Sequence, residues 1–118
     1  MTPEAVLFAI GSYRYRHCNE EELQVALARA LDRHEIPYER EVRLTRRDRI
    51  DFLCIGGVGI EVKVKGSANT ASAQMLRYAK SERVASLILV TDREQAADQP
   101  LELNGKEVFV VRVMSGIL

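Results

Sequence analysis

Ser86-Leu87-Ile88-Leu89-Val90 is an unbroken apolar run of strand length. A strand with one face in water alternates apolar and polar residues, so a run without alternation must be covered on both faces. In a chain of 118 residues this points to an α/β fold with helices on either side of a mixed sheet. The rest of the chain supplies the pieces. Thr2-Pro3-Glu4 places a capping hydroxyl before a proline at the first helical position, which predicts a helix over about 3–11. Asn19 caps a second helix, predicted over 20–34. Glu20, Glu21 and Glu22 suit the positive end of its dipole, Leu23, Leu27, Ala30 and Leu31 recur at helical spacing, and Ile36-Pro37 stops it.

From Tyr38 the period falls to two. Tyr38, Val42 and Leu44 share one parity and Glu39, Glu41 and Arg43 the other, which describes a half-buried strand. The charged turn Thr45-Arg46-Arg47-Asp48 leads into a strand over 49–55, Gly56-Gly57-Val58-Gly59 reverses the chain, and 60–65 returns antiparallel. A loop over 66–70, a helix over 71–81 carrying Met75, Leu76 and Ala79, the apolar strand, an Asn104-Gly105 turn and a strand over 108–113 complete the order.

No repeat or linker interrupts this pattern, so residues 1–118 read as one domain, with helix 3–11 accessory to a core of about 19–113. Seventeen basic and 17 acidic side chains cancel. No global positive field draws the chain to nucleic acid, and any such contact has to come from local patches. The apolar segment from Ala5 to Ile10 is far too short to span a bilayer and lacks a basic start, which predicts a cytoplasmic protein without a membrane partner. Two cysteines give no disulfide framework, Cys54 sits in an apolar strand pattern, and His17, Cys18 and His34 lack zinc-ligand spacing.

The chemistry-bearing residues gather on the second hairpin. Glu61 and Lys63 are two apart on a strand and leave one face, while Ile60, Val62 and Val64 leave the other. Asp51 lies on the partner strand, and closure around the glycines can bring it to Glu61. Two carboxylates with an ammonium beside them make a hard, oxygen-rich site of the kind Mg²⁺ or Mn²⁺ accepts, with the Val62 carbonyl as a further oxygen. Such a site serves phosphodiester hydrolysis, with Lys63 orienting or deprotonating a water or balancing developing charge. Alternating charge on a strand also describes an ordinary solvated face.

Residues 19–91 as a whole resemble the PD-(D/E)xK nuclease superfamily, which includes junction resolvases and RecB-like nucleases. Asp51 matches the aspartate of its motif, Glu61-Val62-Lys63 matches the acid, any residue, lysine element, and Ile50 stands where the motif has proline. The resemblance implies a restriction-endonuclease-like α-β-β-β-α-β core and a metal-dependent deoxyribonuclease with Asp51 and Glu61 as metal ligands. Many members place a glutamate on the helix before the meander. Glu20, on the face that continues through Leu23 and Leu27, holds that place and would complete the metal shell. Gln74 and Tyr78 look like the Gln, three residues, Tyr motif of the RecB-like and viral exonuclease branches, with Gln74 positioning phosphate or water and Tyr78 supporting it or stacking on a base.

Basic residues cluster around these positions. Arg43, Arg46, Arg47 and Arg49 surround the turn into the Asp51 strand, Lys65, Arg77, Lys80 and Arg83 follow the site, and Arg14, Arg16 and His17 precede the second helix. Of these, Arg46, Arg47, Arg49, Lys65, Arg77 and Lys80, with Tyr78, are the expected contacts to a DNA backbone. The expected function is metal-dependent DNA hydrolysis, as a structure-specific endonuclease or resolvase, with a RecB-like exonuclease or a non-catalytic nucleic-acid-binding domain as alternatives. One site per chain leaves a homodimer open, as in resolvases. No small-molecule cofactor is implied.

Overall fold

The computed structural model describes residues 1–12, 15, 19–64, 68–92 and 102–113. In it the apolar run becomes β4 (Ser86–Thr91), buried at every position. Leu87 and Leu89 enter one core while Ile88 and Val90 enter the other, as an unalternating strand requires. β4 lies inside a six-stranded sheet that also contains β1 (Tyr38–Arg43), β2 (Arg49–Cys54), β3 (Val58–Lys63), β5 (Glu102–Leu103) and β6 (Lys106–Arg112), in the order β1-β2-β3-β4-β6-β5. The first three strands form an antiparallel meander, β3 and β6 run parallel to β4, and β5 pairs antiparallel with β6. The fold is therefore α/β with a mixed open sheet. The short β5 was not legible in the sequence. It is joined to β6 by Asn104 (φ 51°) and Gly105 (φ 75°), the two positive angles that a two-residue hairpin turn needs.

Three helices are found among the described residues, and they cover both faces. α1 (Pro3–Gly11) begins where the Thr2 hydroxyl accepts the Ala5 N–H at 3.2 Å. α2 (Glu20–Arg33) begins where Asn19 Oδ1 accepts the Glu22 N–H at 2.8 Å. Leu23, Leu27 and Leu31 of α2 are fully buried with Val6 and Ile10 of α1 against Phe52, Ile60 and Val90 of the sheet. Each such leucine contributes roughly 1.5–3 kcal/mol, enough to fix the start of α2 against the end of the meander.

α3 (Ala68–Tyr78) covers the opposite face, three residues ahead of the expected range at both ends. It stops where the chain tightens, with Lys80 N–H on the Arg77 carbonyl (3.1 Å) and Ser81 N–H on the Tyr78 carbonyl (3.0 Å). Met75, Tyr78 and Ala79 pack on Ile50, Leu87 and Leu89. Leu76 is 44% exposed, because one helical step from Met75 turns it away from the sheet.

The parity read in β1 also needs correction. Tyr38 packs with the α2 core, whereas Val42 packs with the α3 core. β2 does the same, with Phe52 and Cys54 on the α2 side and Ile50 on the α3 side. The slip falls at Glu41, whose φ of 52° is left-handed, and at Asp51, the residue it opposes between the pairs Arg40↔Phe52 and Val42↔Ile50. A left-handed residue in a strand turns the following side chains over. Asp51 therefore sits where two strands change face together.

Candidate functional site

The β2–β3 ladder runs from Cys54↔Val58 through Phe52↔Ile60, its register set by a turn with Gly56 at φ 85° and Gly57 at φ 77°. One more step would set Asp51 against Glu61. There the backbone pairing gives way to side chains. Asp51 Oδ2 accepts the Val62 N–H at 2.8 Å, and Glu61 Oε1 accepts the Asp51 N–H at 3.3 Å. Each carboxylate thus takes a bond that a strand carbonyl would otherwise accept, and the strands are held together through two acids. In an extended strand the N–H and C=O of one residue leave on the same side, so the Val62 carbonyl belongs to this gap as well.

Glu61 is only 3% exposed, and Lys63 Nζ lies 3.8 Å from its Oε2. Burial, and then the negative charge of Asp51, push the Glu61 carboxyl up to about 8, against the opposing pull of Lys63. Burial also raises Asp51, opposed by the Val62 N–H, Lys63 and Arg40. At neutral pH the pair accordingly holds a proton, shared between acids too close and too dry to ionise together. The Tyr78 hydroxyl donates to the Arg49 carbonyl at 3.1 Å and lies against Glu61. Its own ionisation is pushed far up by burial and by Glu61.

Glu20 is the member of the glutamate trio that meets this centre. Its carboxyl is raised by burial, feels both Lys63 and Asp51, and accepts the Val64 N–H. Glu21 and Glu22 are exposed. Gln74 lies on the α3 side with its Oε1 buried and without a partner among the described residues. One expected role changes: Tyr78 is 1% exposed, so its ring is core and does not stack on a base. Arg77 Nε is bound at 2.7 Å to Asp48 Oδ1, a buried acid, while its side chain stays 39% exposed. Arg46, Arg47, Arg49 and Lys80 are exposed, with Arg49 loosely paired to Glu41 at 3.5 Å. Lys65, Arg14, Arg16, His17 and Cys18 lie outside the described residues.

Two residues went unread in the sequence. Arg40 lies 4.8 Å over the Phe52 ring, bonds Gln24 Oε1 at 2.9 Å, and adds positive charge near Asp51. Its place on the apolar parity of β1 was the available signal. Asp48 closes the β1–β2 turn, its carbonyl accepting the Leu44 N–H at 2.8 Å and its carboxylate held low by Arg77. Nothing in an exposed-looking run of charges marked it as buried.

Among the described residues, no group of three or more His, Cys, Asp and Glu side chains is assembled to hold a metal ion. The donor set that is present nonetheless suits a hard cation: a buried and a half-buried carboxylate set against each other, both raised by burial, with one oxygen of each not engaged by these backbone N–H groups. No helix of the described residues is long and apolar enough to cross a membrane. No protein-family model matches the chain, and no curated protein or solved structure shows significant similarity to it.

Proposed function

We propose that this chain is a metal-dependent nuclease of the PD-(D/E)xK type that hydrolyses phosphodiester bonds in DNA. The observation that carries the reading is the split in the β2–β3 ladder, where Asp51 and Glu61 replace backbone pairing and Lys63 stands beside them. A solvated strand face, the competing account of alternating charge, leaves the burial of Glu61 at 3% exposure unexplained. The order α2-β1-β2-β3-α3-β4 supports a restriction-endonuclease-like core.

Asp51 and Glu61 would hold Mg²⁺ or Mn²⁺, with the Val62 carbonyl as a neighbouring oxygen and Glu20 at the rim. Bound there, the cation would neutralise the acids, withdraw charge from the phosphodiester and make a water more acidic. Lys63 orients that water and balances charge developing on the phosphate. Gln74, which lines a cavity together with Tyr78, would hold a phosphate or a water with its amide. The Asp51 and Val62 N–H groups fix the two carboxylates, so the ligand geometry does not depend on flexible loops.

The test is incubation with labelled duplex, single-stranded, flapped and four-way DNA in Mg²⁺, Mn²⁺ or EDTA. Cleavage is expected with either metal and not with EDTA, and Glu61→Gln and Lys63→Ala should each slow it about 10²-fold or more. Absence of metal-dependent product on every substrate, or undiminished cleavage by both variants, would overturn the proposal.

A further inference from the structure

On the α3 face, next to the carboxylates, lies a cavity of about 300 Å³ lined by Arg43, Arg47, Asp48, Arg49, Gln74 and Tyr78. Its charge is one-sided. The single acid in the wall, Asp48, is neutralised from outside the lining by Arg77 at 2.7 Å. Among the described residues, Arg49 alone of the three arginines has an ion-pair partner, Glu41 at 3.5 Å, and both members of that pair are more than half exposed. Arg43 is steered by its Nη1 bond to the Arg46 carbonyl at 2.9 Å, and the turn that carries Arg47 is braced by the Thr45 hydroxyl, which accepts the Arg47 and Asp48 N–H groups at 3.2 and 3.1 Å.

Gln74 adds an independent observation: its Oε1 is buried without a partner among the described residues. A buried amide end is costly to leave unpaired, and a half-turn of the amide would offer its N–H groups at the same place. Three guanidinium forks and an amide around a small polar hollow match the oxygens of a phosphate. Tyr78 is the shared wall, facing this cavity on one side and Glu61 on the other.

We infer that the Arg43–Arg47–Arg49 cavity binds a phosphate group of the substrate strand, adjacent to the one brought to Asp51 and Glu61. The strand's identity rests on the nuclease reading, whereas the cavity's selection of a phosphate oxyanion rests on its own lining. The phosphate is either an internal phosphodiester or a terminal monophosphate. In both cases the cavity fixes which bond reaches the carboxylates.

The experiment measures anisotropy of labelled oligonucleotides with 5′-phosphate or 5′-hydroxyl ends, in EDTA, across a salt series. Wild type is compared with Arg47→Ala, with the Arg43→Ala/Arg47→Ala double variant, and with Arg29→Ala on α2 as a charge control, all checked for unchanged melting. The double variant should bind at least tenfold more weakly, and its slope of log affinity against log salt should shrink by about 0.9, the share of one phosphate. Arg29→Ala should change affinity less than twofold. Equal losses on both oligonucleotides assign an internal phosphodiester, and a loss confined to the 5′-phosphorylated one assigns a terminal phosphate. No measurable wild-type binding, or a double variant no weaker than Arg29→Ala, overturns the inference. Cleavage by the wild type with unaffected binding in the double variant would remove the cavity and leave the nuclease. Arginine-dependent binding without metal-dependent cleavage would do the reverse.

Discussion

Glu61, beside Asp51 and 3.8 Å from the Lys63 ammonium, ties the candidate site to the stability of the whole chain. Its carboxyl moves from an ordinary value of 4.5 to about 8 on folding, chiefly through burial. Between those values the folded protein holds a proton that the unfolded chain releases, so stability falls as pH rises through that window. Thermal melts at pH 5 and pH 8 should show a lower Tm at pH 8, and Glu61→Gln should flatten the difference. Mg²⁺ should raise the Tm at pH 8 in the wild type and not in Glu61→Gln, since a ligand stabilises only the state that binds it. Asp48 behaves oppositely. Arg77 holds its carboxyl below the usual value of 3.8, so its contribution is present above that pH and is lost in acid. Arg77→Ala should cost about 1–3 kcal/mol in urea unfolding, because it leaves a buried carboxylate without its partner.

Helix ends and strand faces show how far local chemistry carries. α2 closes with Glu35 N–H on the Asp32 carbonyl and Ile36 N–H on the Leu31 carbonyl, both at 3.0 Å, a motif whose left-handed position is filled here by Glu35 at φ 56°. Glycine is the natural occupant, so Glu35→Gly should stabilise the protein by about 0.5–1 kcal/mol, read as a higher urea midpoint at unchanged slope. The same reasoning at Glu41 predicts that Glu41→Gly is tolerated, while Glu41→Val loses about 1–2 kcal/mol. Caps at Thr2 and Asn19 and the covered strand at 86–90 were legible, because each depends on spacing within a few residues, whereas the approach of Asp51 to Glu61, ten positions apart, was legible only as what a hairpin there allows, its register being set by the turn. The face change at Glu41 and Asp51 was not, since a single left-handed residue inverts a period-two pattern without altering composition. Nor could spacing along the chain bring Arg77, 29 positions away, to Asp48 and bury the acid.

At the scale of the molecule, a formal charge of zero sits beside a cavity with three arginines. Affinity for a nucleic-acid strand should therefore come from few charges. A salt slope near −0.9 follows from the one phosphate held there, or roughly a three- to fourfold loss between 50 and 200 mM salt, and the anisotropy titration measures it directly. A much steeper slope would mean that basic residues elsewhere on the surface share the contact.

The split hairpin has a consequence for isotope labelling. The amides of Asp51 and Val62 hang on carboxylate oxygens, at 3.3 and 2.8 Å, where their neighbours in the same strands hang on peptide carbonyls. A peptide carbonyl keeps its proton affinity across the physiological range, whereas a carboxylate changes partner when it is protonated or claimed by a cation. Deuterium uptake at these two backbone positions, corrected for the intrinsic exchange rate at each pH, should thus follow pH and added Mg²⁺ while the corrected uptake of the Phe52–Ile60 ladder stays constant, giving the chain two native reporters of its own centre.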